Sequence, residues 1–177
     1  MLLNPRRAGF IVALQRMGGD IALDNVRGRY GETIGDVRVR HSPLFGSTFT
    51  SEEIPSMIDE IPALAVAAAF ARGKTLIEGL GELRHKESNR LTGIAAGLNA
   101  CGIEAEVVGE TLRIVGGRPR GGIVETHGDH RLAMAFATLG LASGEGVTVD
   151  DAEMIATSFP GFVRTMRSLG ARIDELE

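Results

Sequence analysis

Apolar residues fall at helical spacing in three stretches, 7–18, 90–102 and 159–170, and each stretch closes on a glycine: Gly18, Gly102 and Gly170. A terminal glycine suits the left-handed residue that ends many helices, so the spacing predicts three amphipathic helices. A short strand-like run follows each, at 20–23, 103–108 and 171–173. A second type of helix is apolar nearly all round. One runs over 63–71 and is opened by Asp59-Glu60-Ile61-Pro62; the other runs over 132–142 and is opened by Asp129-His130-Arg131. Aspartate at a helix start and proline in the first turn are both favoured there. These helices lead into strands expected at 75–78 and 147–150, and one more strand is expected at 111–115. The recurring order is strand, buried helix, strand, amphipathic helix, strand, which predicts an α/β repeat architecture. Met1-Leu2-Leu3-Asn4-Pro5 reads as the end of a strand with no strand and buried helix before it. A complete first copy would need about 30 more residues, the length of a βαβ unit. The sequence is therefore expected to start inside a domain, with no Gly/Ser- or Pro-rich linker dividing the remainder.

Composition narrows the class. Of the 177 residues, 44% are hydrophobic and 24% charged, as in ordinary globular domains. No stretch near Met1 has the charged start, apolar middle and small-residue end of a signal peptide. The uncharged run 61–71 is too short to cross a bilayer. With Cys101 alone, no intramolecular disulfide can form, which fits a reducing compartment and a cytoplasmic location. A net charge of −4 argues against a general nucleic-acid binder. The basic residues nevertheless concentrate at Arg6-Arg7, at 84–90 and at Arg131. A few cations in one pocket suffice to bind a small anion.

Three charged clusters stand at predicted helix starts, where free N–H groups and the helix dipole favour anions. In Leu83-Arg84-His85-Lys86-Glu87-Ser88-Asn89-Arg90, Lys86 and Arg90 are four apart and, on a helix, share a side. Their repulsion is relieved by an anion between them, and Glu87 can pair with Arg90 or act as an acid beside the same ligand. The competing reading is a solvated helix face with ordinary ion pairs. In His127-Gly128-Asp129-His130-Arg131, two histidines and an aspartate invite a metal reading, but only His41 and His85 remain as further histidines, so no metal site is expected. Asp129 reads as a helix cap, and Arg131 beside an apolar helix is costly unless paired or facing a ligand. Asp59 reads either as a cap or as an acceptor for a substrate hydroxyl proton. Cys101 reads as a buried structural thiol.

Together Met57-Ile58-Asp59-Glu60-Ile61-Pro62, the 83–91 run, Asp129-His130-Arg131-Leu132-Ala133-Met134-Ala135 and Thr157-Ser158-Phe159-Pro160 resemble the EPSP synthase (3-phosphoshikimate 1-carboxyvinyltransferase) family across essentially the whole chain. The resemblance implies repeated βαβαββ units about a pseudo-threefold axis, one lobe of an inside-out α/β barrel. Residues 1–177 would form the C-terminal lobe, with its first unit incomplete. It implies transfer of the enolpyruvyl group of phosphoenolpyruvate to the 5-hydroxyl of shikimate 3-phosphate, in a shikimate pathway leading to chorismate and the aromatic amino acids. Asp59 matches the aspartate that binds that hydroxyl and is proposed to deprotonate it. Glu87 matches the glutamate proposed to exchange a proton with the phosphoenolpyruvate methylene. Lys86 matches a lysine on shikimate 3-phosphate, Arg90 and Arg131 match arginines that clamp phosphoenolpyruvate, and His130 matches a neighbouring histidine with a secondary role. No metal or organic cofactor is needed for this chemistry.

Two departures matter. Many members carry a lysine just before Phe-Pro, where this chain has Thr157-Ser158; a divergent glyphosate-tolerant group shares Thr-Ser. The resemblance also lacks the N-terminal lobe, which supplies another lysine, another arginine and most contacts to the shikimate phosphate. Half a clamp should leave its charges solvated and unorganised, so the chain alone is expected to be inactive. Unpaired strand edges would favour self-association, with no nucleic-acid or membrane partner expected. Two alternatives stay open: a lobe of the related transferase acting on UDP-N-acetylglucosamine, and a non-catalytic anion-binding or assembly module.

Overall fold

The repeating order read from the sequence is present in the chain, whose residues 1–175 are described by a computed structural model. The elements are α1 (Gly9–Arg16), β1 (Asp20–Arg29), β2 (Glu32–Arg40), β3 (Thr48–Phe49), α2 (Ile61–Ala69), β4 (Lys74–Ile77), α3 (Arg90–Ala100), β5 (Glu104–Val108), β6 (Thr111–Val115), β7 (Gly122–Val124), α4 (His130–Ala142), β8 (Val147–Val149) and α5 (Phe162–Ser168). The central unit is complete. Strands β3 and β4 run parallel and are joined across α2, while β6 pairs antiparallel with both β4 and β5, giving the order β3-β4-β6-β5. The same parallel crossover recurs as β7-α4-β8.

The two apolar helices form the middle of the molecule. Seven of the nine residues of α2 are buried, so its Ala-rich sequence serves as packing surface on nearly every side. Helix α4 begins at the Asp129 cap, whose carboxylate accepts from the backbone N–H groups of Arg131 and Leu132. Helix α3 is capped by the Asn89 side chain, which accepts from Thr92 N. It meets α4 through Gly93 and Gly97. A Cβ at Gly93 would lie 2.7 Å from Leu132 Cδ1, and one at Gly97 would lie 2.3 Å from Phe136 Cζ. Both glycines therefore exist to let α4 side chains reach the α3 backbone. Phe49, Ile61, Leu64, Ile77, Leu98 and Phe136 belong to the main core between these helices and the four-stranded sheet. Gly18, Gly102 and Gly170 all have positive φ, as the three helix ends required.

The structure corrects the reading at several places. Residues 171–173 form no strand, and Met1–Pro5 contributes only a single bridge, Leu2 to Ile34. The strand expected at 20–23 is one arm of a longer antiparallel hairpin, β1–β2, that the apolar pattern did not reveal. Most of its residues are exposed, so no period-2 burial marks it. Its turn carries the only local signal: Tyr30 and Gly31 both have positive φ between the paired Arg29 and Glu32, as in a tight hairpin turn.

Candidate functional site

Three helix starts point into one region. Asp59 lies in the short 3₁₀ turn Ile58–Glu60 just ahead of α2. Lys86 follows the 3₁₀ turn Gly81–His85 in extended backbone, and Arg90 is the first residue of α3. Arg131 is the second residue of α4. Two expectations fail locally. Asp59 is no cap, because neither it nor Glu60 makes a capping hydrogen bond to α2. Lys86 and Arg90 do not share a helix face, since the helix begins only at Arg90. They still meet at the same Asp59 oxygen, because the chain bends between Lys86 and the helix start.

Four cations surround the Asp59 carboxylate. Its Oδ1 lies 3.6 Å from Lys86 Nζ and 3.8 Å from an Arg90 terminal nitrogen. Its Oδ2 lies 3.6 Å from Arg7 and 3.8 Å from Arg131. Arg131 also donates to the Asp59 backbone carbonyl at 3.3 Å. All four carboxylate approaches exceed direct hydrogen-bond length, so the cations gather around the acid without closing on it. Burial pushes the Asp59 carboxyl up, but Arg131, Lys86, Arg7 and Arg90 together outweigh it and hold the group below its ordinary range. It is therefore ionised at neutral pH.

Arg90 is the most constrained member. Its side chain is fully buried, and Asp129, also fully buried, accepts from its Nε at 2.9 Å and from its Nη2 at 3.3 Å. Nη2 also donates to Glu87 Oε2 at 2.5 Å. Nη1 faces Asp59 and, among the described residues, is buried without a hydrogen-bond partner. Burial pushes the Asp129 carboxyl up, yet the hydrogen bonds and charge of Arg90, with two backbone N–H groups, bring it below normal. Arg90 is thus neither solvated nor unorganised, contrary to the expectation for these charges: a buried carboxylate fixes it, while Arg7, Arg131 and Lys86 keep part of their side chains in water.

Other anions on these cations are at the edge. Lys86 donates to Glu82 at 2.5 Å, a bond that raises its pKa against the effect of burial. Glu82 and Glu87 have side chains 65% and 48% exposed. Both carboxylates reach water while Lys86 and Arg90 are largely withdrawn from it, so these acids sit at the rim of the cluster. His130 is half-buried, and among the described residues no hydrogen bond or ion pair holds its ring. Among the described residues no group of three or more His, Cys, Asp or Glu is arranged to hold a metal. Cys101 is buried within the core and burial raises its thiol pKa. A groove of about 470 Å³ runs from Asp59 and Arg131 between α2 and α4, over Val66, Phe70 and Met134.

Sequence reasoning had flagged Arg7 only as part of a basic pair, and Asp129 only as a cap. Arg7 reaches the site because the turn before α1 lies against the start of α2. The Asp129–Arg90 pair left no signal of its own, because Glu87 offers Arg90 a carboxylate nearer in the chain.

The chain as a whole is similar to known proteins. A family profile described as EPSP synthase (3-phosphoshikimate 1-carboxyvinyltransferase) matches residues 1–166. The chain belongs to the EPSP synthase family. Curated relatives named 3-phosphoshikimate 1-carboxyvinyltransferase include one from Phenylobacterium zucineum, 54% identical over 176 residues, and one from Rhizobium johnstonii, 53% identical over 182 residues. Each match covers 98% of this chain but only 39% and 40% of the relative, so the chain spans about two fifths of their length. A solved EPSP synthase from Acinetobacter baumannii superposes with a TM-score of 0.93 at 38% identity, over 98% of this chain and 41% of that one. An enolpyruvyl transferase from Streptomyces tendae gives 0.69 at 26% identity, over 95% and 36%. The fold is thus the repeated α/β lobe of the EPSP synthase family. No described helix is long and apolar enough to cross a membrane.

Proposed function

We propose that this chain, as the C-terminal lobe of an EPSP synthase, forms one wall of the site that moves the enolpyruvyl group of phosphoenolpyruvate onto the 5-hydroxyl of shikimate 3-phosphate. The observation that carries the reading is the gathering of Lys86 and Arg90, from the approach to α3, and Arg131, from the start of α4, around Asp59, with one buried Arg90 nitrogen that has no hydrogen-bond partner among the described residues. A substrate carrying a carboxylate and a phosphate matches such fixed cations, and arginine suits bidentate anion recognition.

In this reading Arg90 and Arg131 clamp phosphoenolpyruvate, Lys86 contacts shikimate 3-phosphate, and His130 borders the same ligands. Asp59 accepts the hydroxyl proton as the oxygen attacks the central carbon of phosphoenolpyruvate, and Glu87 delivers a proton to the methylene. The resulting tetrahedral intermediate expels phosphate as a methyl proton returns to Glu87, and the enolpyruvyl ether forms. Anions that draw Lys86 and Arg131 toward themselves, and that add negative charge beside Arg90, weaken the field that depresses Asp59, so binding raises its basicity when a base is needed. The second wall comes from the remaining family length. Cys101, reduced and buried, suits a cytoplasmic setting.

The test joins residues 1–177 to the complementary segment of the Phenylobacterium relative and measures phosphate release from the two substrates. Release by the joined protein and none by the chain alone is expected. A joined protein that melts cooperatively yet releases no phosphate overturns the reading.

A further inference from the structure

One carboxylate at the site takes no part in the proposed reaction, yet it accepts more hydrogen bonds than any other there. Asp129 accepts five hydrogen bonds. Its Oδ2 takes Arg90 Nε at 2.9 Å and the Ser88 hydroxyl at 3.0 Å. Its Oδ1 takes Arg131 N at 2.9 Å, Leu132 N at 3.3 Å and Arg90 Nη2 at 3.3 Å. Two carboxylate oxygens offer about four lone-pair sites, so Asp129 has none left for a ligand. Its role, if functional, must be exerted through its partners.

Those partners have specific consequences. By holding Nε and Nη2, Asp129 fixes the guanidinium plane and leaves Nη1 as the buried nitrogen that faces Asp59. By capping α4, the same carboxylate sets where the backbone of Arg131 begins. The two arginines come from different helices, and Asp129 is the shared reference for both. Glu87, also on Arg90, is half exposed, whereas Asp129 is fully buried.

We propose that Asp129 is a positioning residue for phosphoenolpyruvate: it locks Arg90 and the start of α4 in one frame, so that both arginines are presented to the same anion at a fixed separation. The inference rests on the proposed clamp. Lys86 makes no contact with Asp129, so recognition of shikimate 3-phosphate is expected to be largely independent of it. A purely architectural carboxylate would show no such selectivity.

The substitution Asp129→Asn, made in the joined protein, separates these roles. Asparagine is as good a helix cap as aspartate and keeps an oxygen for Arg131 N and Leu132 N. Its amide NH₂, however, meets the Nε–H of Arg90. The KM for phosphoenolpyruvate should rise about tenfold to a hundredfold, the scale of a misplaced binding group, while that for shikimate 3-phosphate changes little. In an Arg90→Gln background, adding Asp129→Asn should cost almost nothing further, because the route through Arg90 is already gone. An unchanged KM for phosphoenolpyruvate, or equal losses for both substrates with a lowered melting temperature, overturns the inference. Should the asparagine variant not fold, Asp129→Ser keeps a capping oxygen, lacks the arginine acceptor, and is held to the same outcomes. Failure of the unsubstituted joined protein to turn over would instead count against the proposed function.

Discussion

Arg90 and Asp129 form an ion pair, 2.9 Å from Nε to Oδ2, in which both side chains are withdrawn from water completely. Burying two charges is expensive even when they meet, so such a pair is weak evidence for net stability. Its significance is the asymmetry of losing one member, which leaves the other charged and unpaired in the core.

Replacing Arg90 by methionine should therefore lower the unfolding free energy of the chain by about 3 to 5 kcal/mol, although methionine fills much of the same volume. Urea unfolding followed by circular dichroism measures it. A loss below about 1 kcal/mol would mean that Asp129 finds other compensation, for instance water.

Acid should weaken the fold through the same residues. Asp59 and Asp129 both lie below the ordinary carboxylate range in the folded chain. Each contributes stability that is fully present above the unfolded value of about 3.9 and disappears as pH falls through the folded value. The decline in unfolding free energy on acidification should be shallower in Asp59→Asn than in the unsubstituted chain. Parallel pH curves would show that the four cations do not act on Asp59.

The helix contact makes a sharper packing prediction. Gly97→Ala gains about 1 kcal/mol of helix propensity but drives a methyl into the buried Phe136 ring. Overpacking typically costs about 1 to 3 kcal/mol, so net destabilisation is expected. Gly28→Ala, where nothing lies within 4 Å of the new methyl, should be neutral or slightly stabilising. Thermal melts of both variants decide it.

The hairpin β1–β2 exposes Tyr30, Val39 and Val26 at 93%, 66% and 54%. Unpaired strand edges and apolar side chains in one ribbon favour pairing with another copy. Light scattering after size-exclusion chromatography should show mass rising with concentration. A monomer over the whole range contradicts this.

Helical periodicity made α1, α3 and α5 legible, with a glycine marking each end, and nearly unbroken apolar runs behind Asp and Pro start signals did the same for α2 and α4, because burial writes itself into sequence. The exposed hairpin had no burial to write, so only its Tyr30-Gly31 turn betrayed it. For the site, residue types and motif order located Asp59, Lys86, Arg90 and Arg131. Sequence could not place Lys86 relative to Arg90, because that depends on a non-helical link whose shape no local pattern specifies. Nor could it distinguish the buried partner of Arg90 from the exposed one: Glu87 is nearer in the chain, but Asp129 is held by a neighbouring helix.

The bare face of α3 at Gly93 and Gly97 reaches beyond packing. Leu132 and Phe136, which fill it, lie on the same helix as the Asp129 cap, so the closeness of the two helices sets how far a guanidinium must stretch to find its carboxylate. A methyl group added deep in the interior, touching no charge, would part the helices at the root and slacken the grip on the arginine above. Substitutions that restore affinity to such a variant are expected on the opposite helix, at Leu132 or Phe136, where a smaller side chain lets the gap close again.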